Sequence, residues 1–227
     1  LFIFFTIFTS SLTANEKVIK ALVKNYEVNS LINELNLSEK ELDLLCGSNH
    51  LSIDCEIKSI YLENEIRKKR ISYLLDEIAK KYDLDKEITS NLKINYIKYI
   101  EINEKIYRLS SYCSSNICSI KSIWVQLLDF EESLKFILNG NINKDLKENY
   151  ITNTKNDFSL NNLDNLYSEN VEIIDRLKNS KEFNYKSLKM DFTNIHKSWK
   201  NYEKTLIEFL KKTNKYDEEW IELFYGH

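Results

Sequence analysis

An all-α protein is what this sequence predicts: two helical-hairpin modules forming one elongated helical bundle, with disulfide-stapled loops. Three observations carry that expectation. The 227 residues include 0 Pro and only 3 Gly, which leaves little of the turn chemistry that β-hairpins, sandwiches or doubly wound sheets require. Apolar residues recur at steps of three and four along most of the chain, the spacing that gathers them on one face of a helix. Hydrophobic residues make up 43% of the total, enough to bury a sizeable core and to argue against global disorder.

The elements follow in order. Leu1 to Phe8 form an apolar run, followed by Thr-Ser-Ser-Leu-Thr-Ala and then the charged Asn15-Glu16-Lys17. An apolar stretch with a small-residue exit is the pattern of a signal peptide, expected over residues 1–14 with Ala14 the last residue before cleavage. No initiator Met or basic segment precedes the run, so the sequence is expected to begin slightly late. The competing reading is a short buried helix of the mature domain. The run is well short of the ~20 residues that a spanning helix needs. No Cys follows it, so no lipid anchor is expected at this place.

Residues 15–55 read as short N-terminal helices, Glu16–Asn29 and Leu31–Leu45. Within the second, Ser38-Glu-Lys-Glu41 has the capping-box pattern that starts a helix at Glu39, and Gly47 ends it. Residues 56–138 make the first helical module. Its long helix, Glu56–Tyr82, places Ile57, Ile60, Tyr61, Asn64, Ile71, Leu74, Leu75, Ile78 and Tyr82 on one face. A turn at Asp83–Asp85 leads into a helix to about Tyr112 carrying Ile88, Leu92, Tyr96, Tyr99, Ile106 and Leu109. A third helix is marked by Ile120, Ile123, Trp124, Leu127, Leu128, Leu134, Ile137 and Leu138.

Residues 139–159 are polar and Asn-rich, and read as an inter-module linker. Residues 160–227 form the second module. Leu160, Leu163, Leu166, Tyr167, Ile173, Ile174 and Leu177 mark its first helix. The next helix has the most regular period of the chain: Tyr185, Leu188, Phe192, Ile195, Trp199, Tyr202, Leu206 and Phe209 alternate steps of three and four. Such a seam either faces a partner or packs inside the bundle. Tyr96-x-x-Tyr99 matches Trp199-x-x-Tyr202 at an offset near one hundred residues, which hints at a repeat.

The four cysteines, Cys46, Cys55, Cys113 and Cys118, are expected to form disulfides in an oxidising compartment. Four cysteines allow three pairings, and proximity in sequence favours Cys46–Cys55 and Cys113–Cys118. The rival is a four-thiolate zinc site, but neither spacing is the two-residue knuckle common in such sites. No metal and no cofactor are expected.

No catalytic residue is assigned. His50, His196 and His227 make no metal-ligand pair, and no Gly-rich phosphate loop or nucleophile motif occurs. The acidic stretches Asp129-Phe-Glu131-Glu132 and Asp217-Glu218-Glu219 read as solvated helix faces, although a carboxylate pair defined only by spatial separation would leave no motif. Arg67-Lys68-Lys69-Arg70 is the one basic cluster. It points around a whole helical turn beside Glu63, Glu65, Asp76 and Glu77, and reads as a solvated, ion-paired helix. With a formal net charge of −3 and mixed signs, no nucleic-acid partner is expected.

In the second module, Leu163-x-x-Leu166-Tyr167 is followed about thirty residues later by His196-Lys-Ser-Trp199-x-x-Tyr202-Glu203. This arrangement resembles the LprI-like lysozyme-inhibitor family, in which a Leu/Asn-rich helix with a Tyr precedes a helix bearing a Gln-Arg-Ala-Trp-x-x-Tyr-Arg-Asp type motif. Ser198-Trp199 stands in place of Ala-Trp, and Glu203 in place of Arg. The first module is similar in a more diverged form, with Tyr96 for Trp, Ile100-Glu101 for Arg-Asp, and Cys113 and Cys118 downstream. The family commonly carries a Cys four residues after the motif Tyr, where this chain has Asn103 and Leu206.

The resemblance implies a periplasmic or secreted helical protein that binds lysozyme and blocks its cleft. It also implies that Tyr96, Tyr99, Tyr167, Trp199 and Tyr202 are core, and that exposed polar loops do the blocking. A mildly acidic protein gains association rate against a basic lysozyme, and the stretch Asp217–Glu222 with an exposed Trp220 is one place for that contact, or else a capping helix. The expected function is therefore that of an exported, non-enzymatic binding protein with lysozyme as the suspected protein partner. The rival class is a surface antigen or adhesin of a host-associated organism. Localisation is expected to be periplasmic, secreted or at the cell surface. Oligomeric state is left open.

Overall fold

The computed structural model describes residues 16–24, 26, 38–107, 116–140, 160–176, 178, 185–216, 220, 221 and 224, with backbone alone at 105–107, 116–119, 160–166 and 170. It is an all-α bundle, and no strand occurs among the described residues. The expected signal peptide 1–14 lies outside them, as does the expected linker 139–159 except for Asn139, which ends a helix, and Gly140 after it.

The elements are α1 (residues 16–24), α2 (Glu39–Cys46), α3 (Ile53–Tyr82), α4 (Lys86–Tyr107), α5 (Asn116–Asn139), α6 (Leu160–Arg176) and α7 (Tyr185–Lys212). They fall into two compact units that divide within α3, Leu1–Tyr73 and Leu74–His227.

In the first unit, Leu45 of α2 with Leu62 and Ile66 of α3 forms a buried cluster, packed against Ile19, Leu22 and Val23 of α1 and against Tyr26. Helix α2 starts where the capping box puts it. The Ser38 hydroxyl accepts the Glu41 amide at 3.4 Å, and the Glu41 carboxylate accepts the Ser38 amide at 2.8 Å. The Ser38 hydroxyl also donates to Glu41 Oε2 at 2.6 Å, and this bond first, then that from the Ser38 amide, holds the Glu41 carboxyl below its ordinary range. Gly47 ends the helix at φ +66°, with its amide donating to Asp43 O at 2.8 Å.

Leu62 and Ile66 were not on the face read from the sequence, and Tyr61, which was, is exposed. The reason is that α3 contributes to two cores: Leu62 and Ile66 to one unit, Leu74, Leu75 and Ile78 to the other. A single helical stripe cannot describe such a helix.

The basic cluster on α3 corrects the solvated reading. Arg67 and Arg70 are buried. Arg67 Nη2 donates to Glu63 Oε1 at 2.8 Å, the expected i,i+4 pair. Lys69 Nζ donates to the carbonyl of Val23 at 3.0 Å and to that of Tyr26, placing a cation at the end of α1, where its last carbonyls need partners.

In the second unit, α4 lies chiefly against α7, with α5 on α4 and α6 on α7. Helices from both expected modules therefore share one core, because the seam of α7 meets the aromatic face of α4. With so few glycines, two helix ends take the left-handed conformation at other residues: Asp83 (φ 52°) after α3 and Asn214 (φ 56°) after α7. Each carries the six-to-one bond of a Schellman end, Leu84 N to Ala79 O at 2.9 Å and Lys215 N to Leu210 O at 2.9 Å. The end of α5 is closed from outside by Tyr82 Oη on Ile137 O at 2.9 Å, Lys81 Nζ on Leu138 O, and Lys215 Nζ on Gly140 O at 3.1 Å.

Two further expectations are corrected here. Glu131 is not part of a solvated face: it is buried on α5, with Lys135 Nζ at 3.2 Å. Trp220 is not exposed but buried, with Lys215 Nζ 4.6 Å from its ring centroid. In both cases the polarity of the neighbouring residues in the sequence misleads.

Candidate functional site

Two places in the molecule bring together residues of interest. The first is the aromatic cluster of the second unit. Tyr96 and Tyr99 project from α4, three residues apart and so on one face; Trp199 and Tyr202 do the same on α7. The two pairs meet. Tyr96 and Tyr202 have ring centroids 5.0 Å apart, Tyr99 and Trp199 5.2 Å, and Tyr99 and Tyr202 6.0 Å. Phe130 of α5 stacks on Tyr96 at 3.9 Å and carries Phe224 edge-on at 5.8 Å. The sequence reading did not single out Phe130, which stands between Asp129 and Glu131, or Phe224.

The phenol of Tyr96 donates to Gln126 O. Burial, reinforced by the nearby Asp129, pushes its ionisation well above the ordinary tyrosine range. A neutral, buried, hydrogen-bonded phenol has no access to a substrate. The cluster packs the bundle.

Tyr167 stands apart from this cluster. It stacks on His196 at 3.7 Å and on Phe192 at 5.9 Å, fastening α6 to α7. At the other end of the same hairpin, Asp175 Oδ1 accepts from Lys189 Nζ at 2.7 Å and from the Tyr185 hydroxyl.

The second place is the loop between α2 and α3 in the first unit. Cys46, the last residue of α2, is bonded to Cys55 in the first turn of α3, with Cα atoms 4.9 Å apart. Of the two expected disulfides this is the one described; Cys113 and the side chain of Cys118 lie outside the described residues. The residues between are fixed from both ends. Ser52 Oγ donates to Asn49 O at 2.9 Å and accepts the Cys55 amide at 3.1 Å, so that Ser52 caps α3. His50 Nε2 lies 2.7 Å from Asp43 Oδ1, tying the loop to α2. A carboxylate only accepts, so Nε2 is the nitrogen that carries the proton.

This closed loop turns apolar side chains outward. Leu51 is 99% exposed, Ile53 67% and Leu44 64%. All three lie within ten residues of sequence: Leu51 and Ile53 within the segment closed by the Cys46–Cys55 bond, Leu44 just before it on α2. The disulfide was legible in the sequence. The exposure was not, because nothing local distinguishes a loop leucine that is buried from one that is not.

Among the described residues, no group of three or more His, Cys, Asp or Glu is placed to hold a metal ion. No described helix is long and apolar enough to cross a membrane. No family model, curated protein or solved structure matches this chain.

Proposed function

We propose that the protein is an exported, non-enzymatic binding protein that engages a protein partner through the stapled α2–α3 loop, with lysozyme as the partner to test first. The observation that carries the reading is the combination at that loop: a disulfide-closed, hydrogen-bonded segment that presents Leu51 and Ile53 to solvent, next to the exposed Leu44 of α2. A loop already held in one conformation loses little freedom on binding, and its apolar side chains gain by leaving water. Disulfides persist in oxidising compartments, which supports export to the periplasm, the cell surface or the medium.

Lysozyme enters through the similarity of the Trp199-x-x-Tyr202 and Tyr96-x-x-Tyr99 helices to the LprI-like family. The resemblance implies that the aromatic motif is core; here Tyr96 and Tyr202 are buried, while Tyr99 and Trp199, which touch them, are half-buried. Inhibition by this route needs no catalysis, only occlusion of a cleft.

The test is lysis of a peptidoglycan suspension by lysozyme with and without the purified, oxidised protein. Dose-dependent protection that weakens with salt is the expected result. No protection at large molar excess rejects lysozyme inhibition. Tight, salt-insensitive binding to host-surface proteins in its place would favour the surface-antigen class.

A further inference from the structure

We infer that the α2–α3 loop docks on a cationic protein surface that contains an apolar pocket, with Leu51 as the inserted anchor. This rests on the reading of the chain as a protein-binding protein, and it specifies the chemistry of the partner.

A single exposed leucine is ordinary on a protein surface and says nothing. Here Leu51 is almost wholly in solvent inside the closed segment, with exposed Ile53 two residues on and exposed Leu44 just before the segment on α2. The Cys46–Cys55 bond closes the segment, Gly47 turns the chain at φ +66°, and the Ser52–Asn49 and His50–Asp43 contacts fix its two halves. Inserted into an apolar pocket, such a leucine gains by taking its whole side chain out of water.

Charge decides which partner. From Glu39 to Glu56 the ionisable side chains are Glu39, Lys40, Glu41, Asp43, His50, Asp54 and Glu56: five acids against one lysine and a histidine. Glu41 is folded back into the capping box. Asp43 and Asp54 contact His50 and Lys58, yet their side chains remain 59% and 71% exposed, so their field reaches solvent. An apolar tip with an acidic rim steers toward a cationic surface. The same rim repels an anionic lipid headgroup, and in a second copy of this chain it would face its own like charges.

The experiment is titration of the purified, oxidised chain against hen egg-white lysozyme, a basic protein with an open cleft, at low and moderate salt. Four proteins are compared: wild type, Leu51→Asp, the double variant Asp54→Lys/Glu56→Lys, and Ile173→Asp as a control on exposed α6. The inference expects Leu51→Asp to weaken binding at least thirtyfold at both salt concentrations. The charge reversal should slow association at least tenfold at low salt and flatten the salt dependence, and Ile173→Asp should bind as wild type. If wild type binds and the loop variants bind equally well, the inference falls while the binding function stands. If wild type does not bind at either salt concentration, the lysozyme reading and the cationic-partner inference fall together. Because Leu51 packs on nothing, Leu51→Asp should melt as wild type, and circular dichroism checks that each variant is folded.

Discussion

Tyr99 lies against Trp199, with ring centroids 5.2 Å apart, and the register is reciprocal: Tyr96 meets Tyr202 at 5.0 Å. The first residue of each pair touches the second of the other, so α4 and α7 cross antiparallel at this point. That is the contact pattern a two-fold relation imposes, residue i on j and j on i. The two matched pairs in the sequence are thus halves of one contact. Neither is the core of a separate module.

Because Tyr202 is fully buried and touches Tyr96, Tyr99, Phe130 and Trp199, its truncation should be among the most damaging in the second unit. Tyr202→Ala is expected to cost about 3–5 kcal/mol, the range for emptying a large aromatic site. Tyr96→Phe keeps the ring stack and loses only the hydrogen bond to Gln126 O, so it should cost about 1 kcal/mol. Urea denaturation of both variants checks the ordering. Equal losses would mean that the phenol bond, and not ring packing, holds α4.

Removing the staple should act locally. The Cys46–Cys55 bond closes a short loop, with a sequence separation of 9, so the Cys46→Ala/Cys55→Ala variant should lose about 2–3 kcal/mol by the loop-entropy relation. The loss should appear in the first unit as faster amide hydrogen exchange at Gly47 and Cys55, whose N–H groups bond to Asp43 O and Ser52 Oγ. Exchange of the Thr213 amide, which bonds to Phe209 O just past the end of α7, should not change.

What was legible in the sequence was local. Ser38 and Glu41 are three residues apart, Cys46 and Cys55 are close enough to pair, and the α7 seam announces its own face. These need no knowledge of the rest of the chain. Arg67, Arg70, Glu131 and Trp220 were misjudged because a charge or an indole is buried only when a distant element covers it. Glu131 goes under with Lys135 at its side, and Trp220 lies beneath the Lys215 ammonium. Leu62 and Ile66 were passed over because α3 has two buried stripes and the reading allowed one. The candidate site was half legible: its covalent closure could be read, but outward presentation is a property of the folded surface.

The α6–α7 hairpin should loosen in acid. Hydrogen bonds from Lys189 and then Tyr185 hold the Asp175 carboxyl below its ordinary range, and Asp175 in return raises Lys189. A carboxyl lowered in the folded state contributes stability that is fully present above its unfolded pKa of about 3.9 and is lost as pH falls through the folded value. The contribution should therefore be constant near neutrality and disappear below about pH 4. Asp175→Asn removes the titrating group, so the difference between its stability and that of wild type should shrink over the same interval. A gap that persists unchanged at pH 2 would show that the carboxylate's charge is not what fastens the hairpin.

The two left-handed helix ends should respond oppositely to glycine and to a branched side chain. Asp83 has φ 52° and Asn214 φ 56°, where a Cβ is crowded by the following carbonyl. Asn tolerates this region best among residues with side chains, whereas Asp83 adds a negative charge at the negative end of α3. Asp83→Gly should therefore stabilise by about 0.5–1 kcal/mol, more than Asn214→Gly, because it relieves both the strain and the unfavourable charge. Asn214→Val should destabilise by about 1–2 kcal/mol, since valine neither tolerates positive φ nor packs on anything at an exposed turn. Thermal melts of the three variants decide the matter. A larger gain at Asn214 than at Asp83 would show that the helix-end charge contributes nothing at α3, where Lys80 and Lys81 already occupy the last turn.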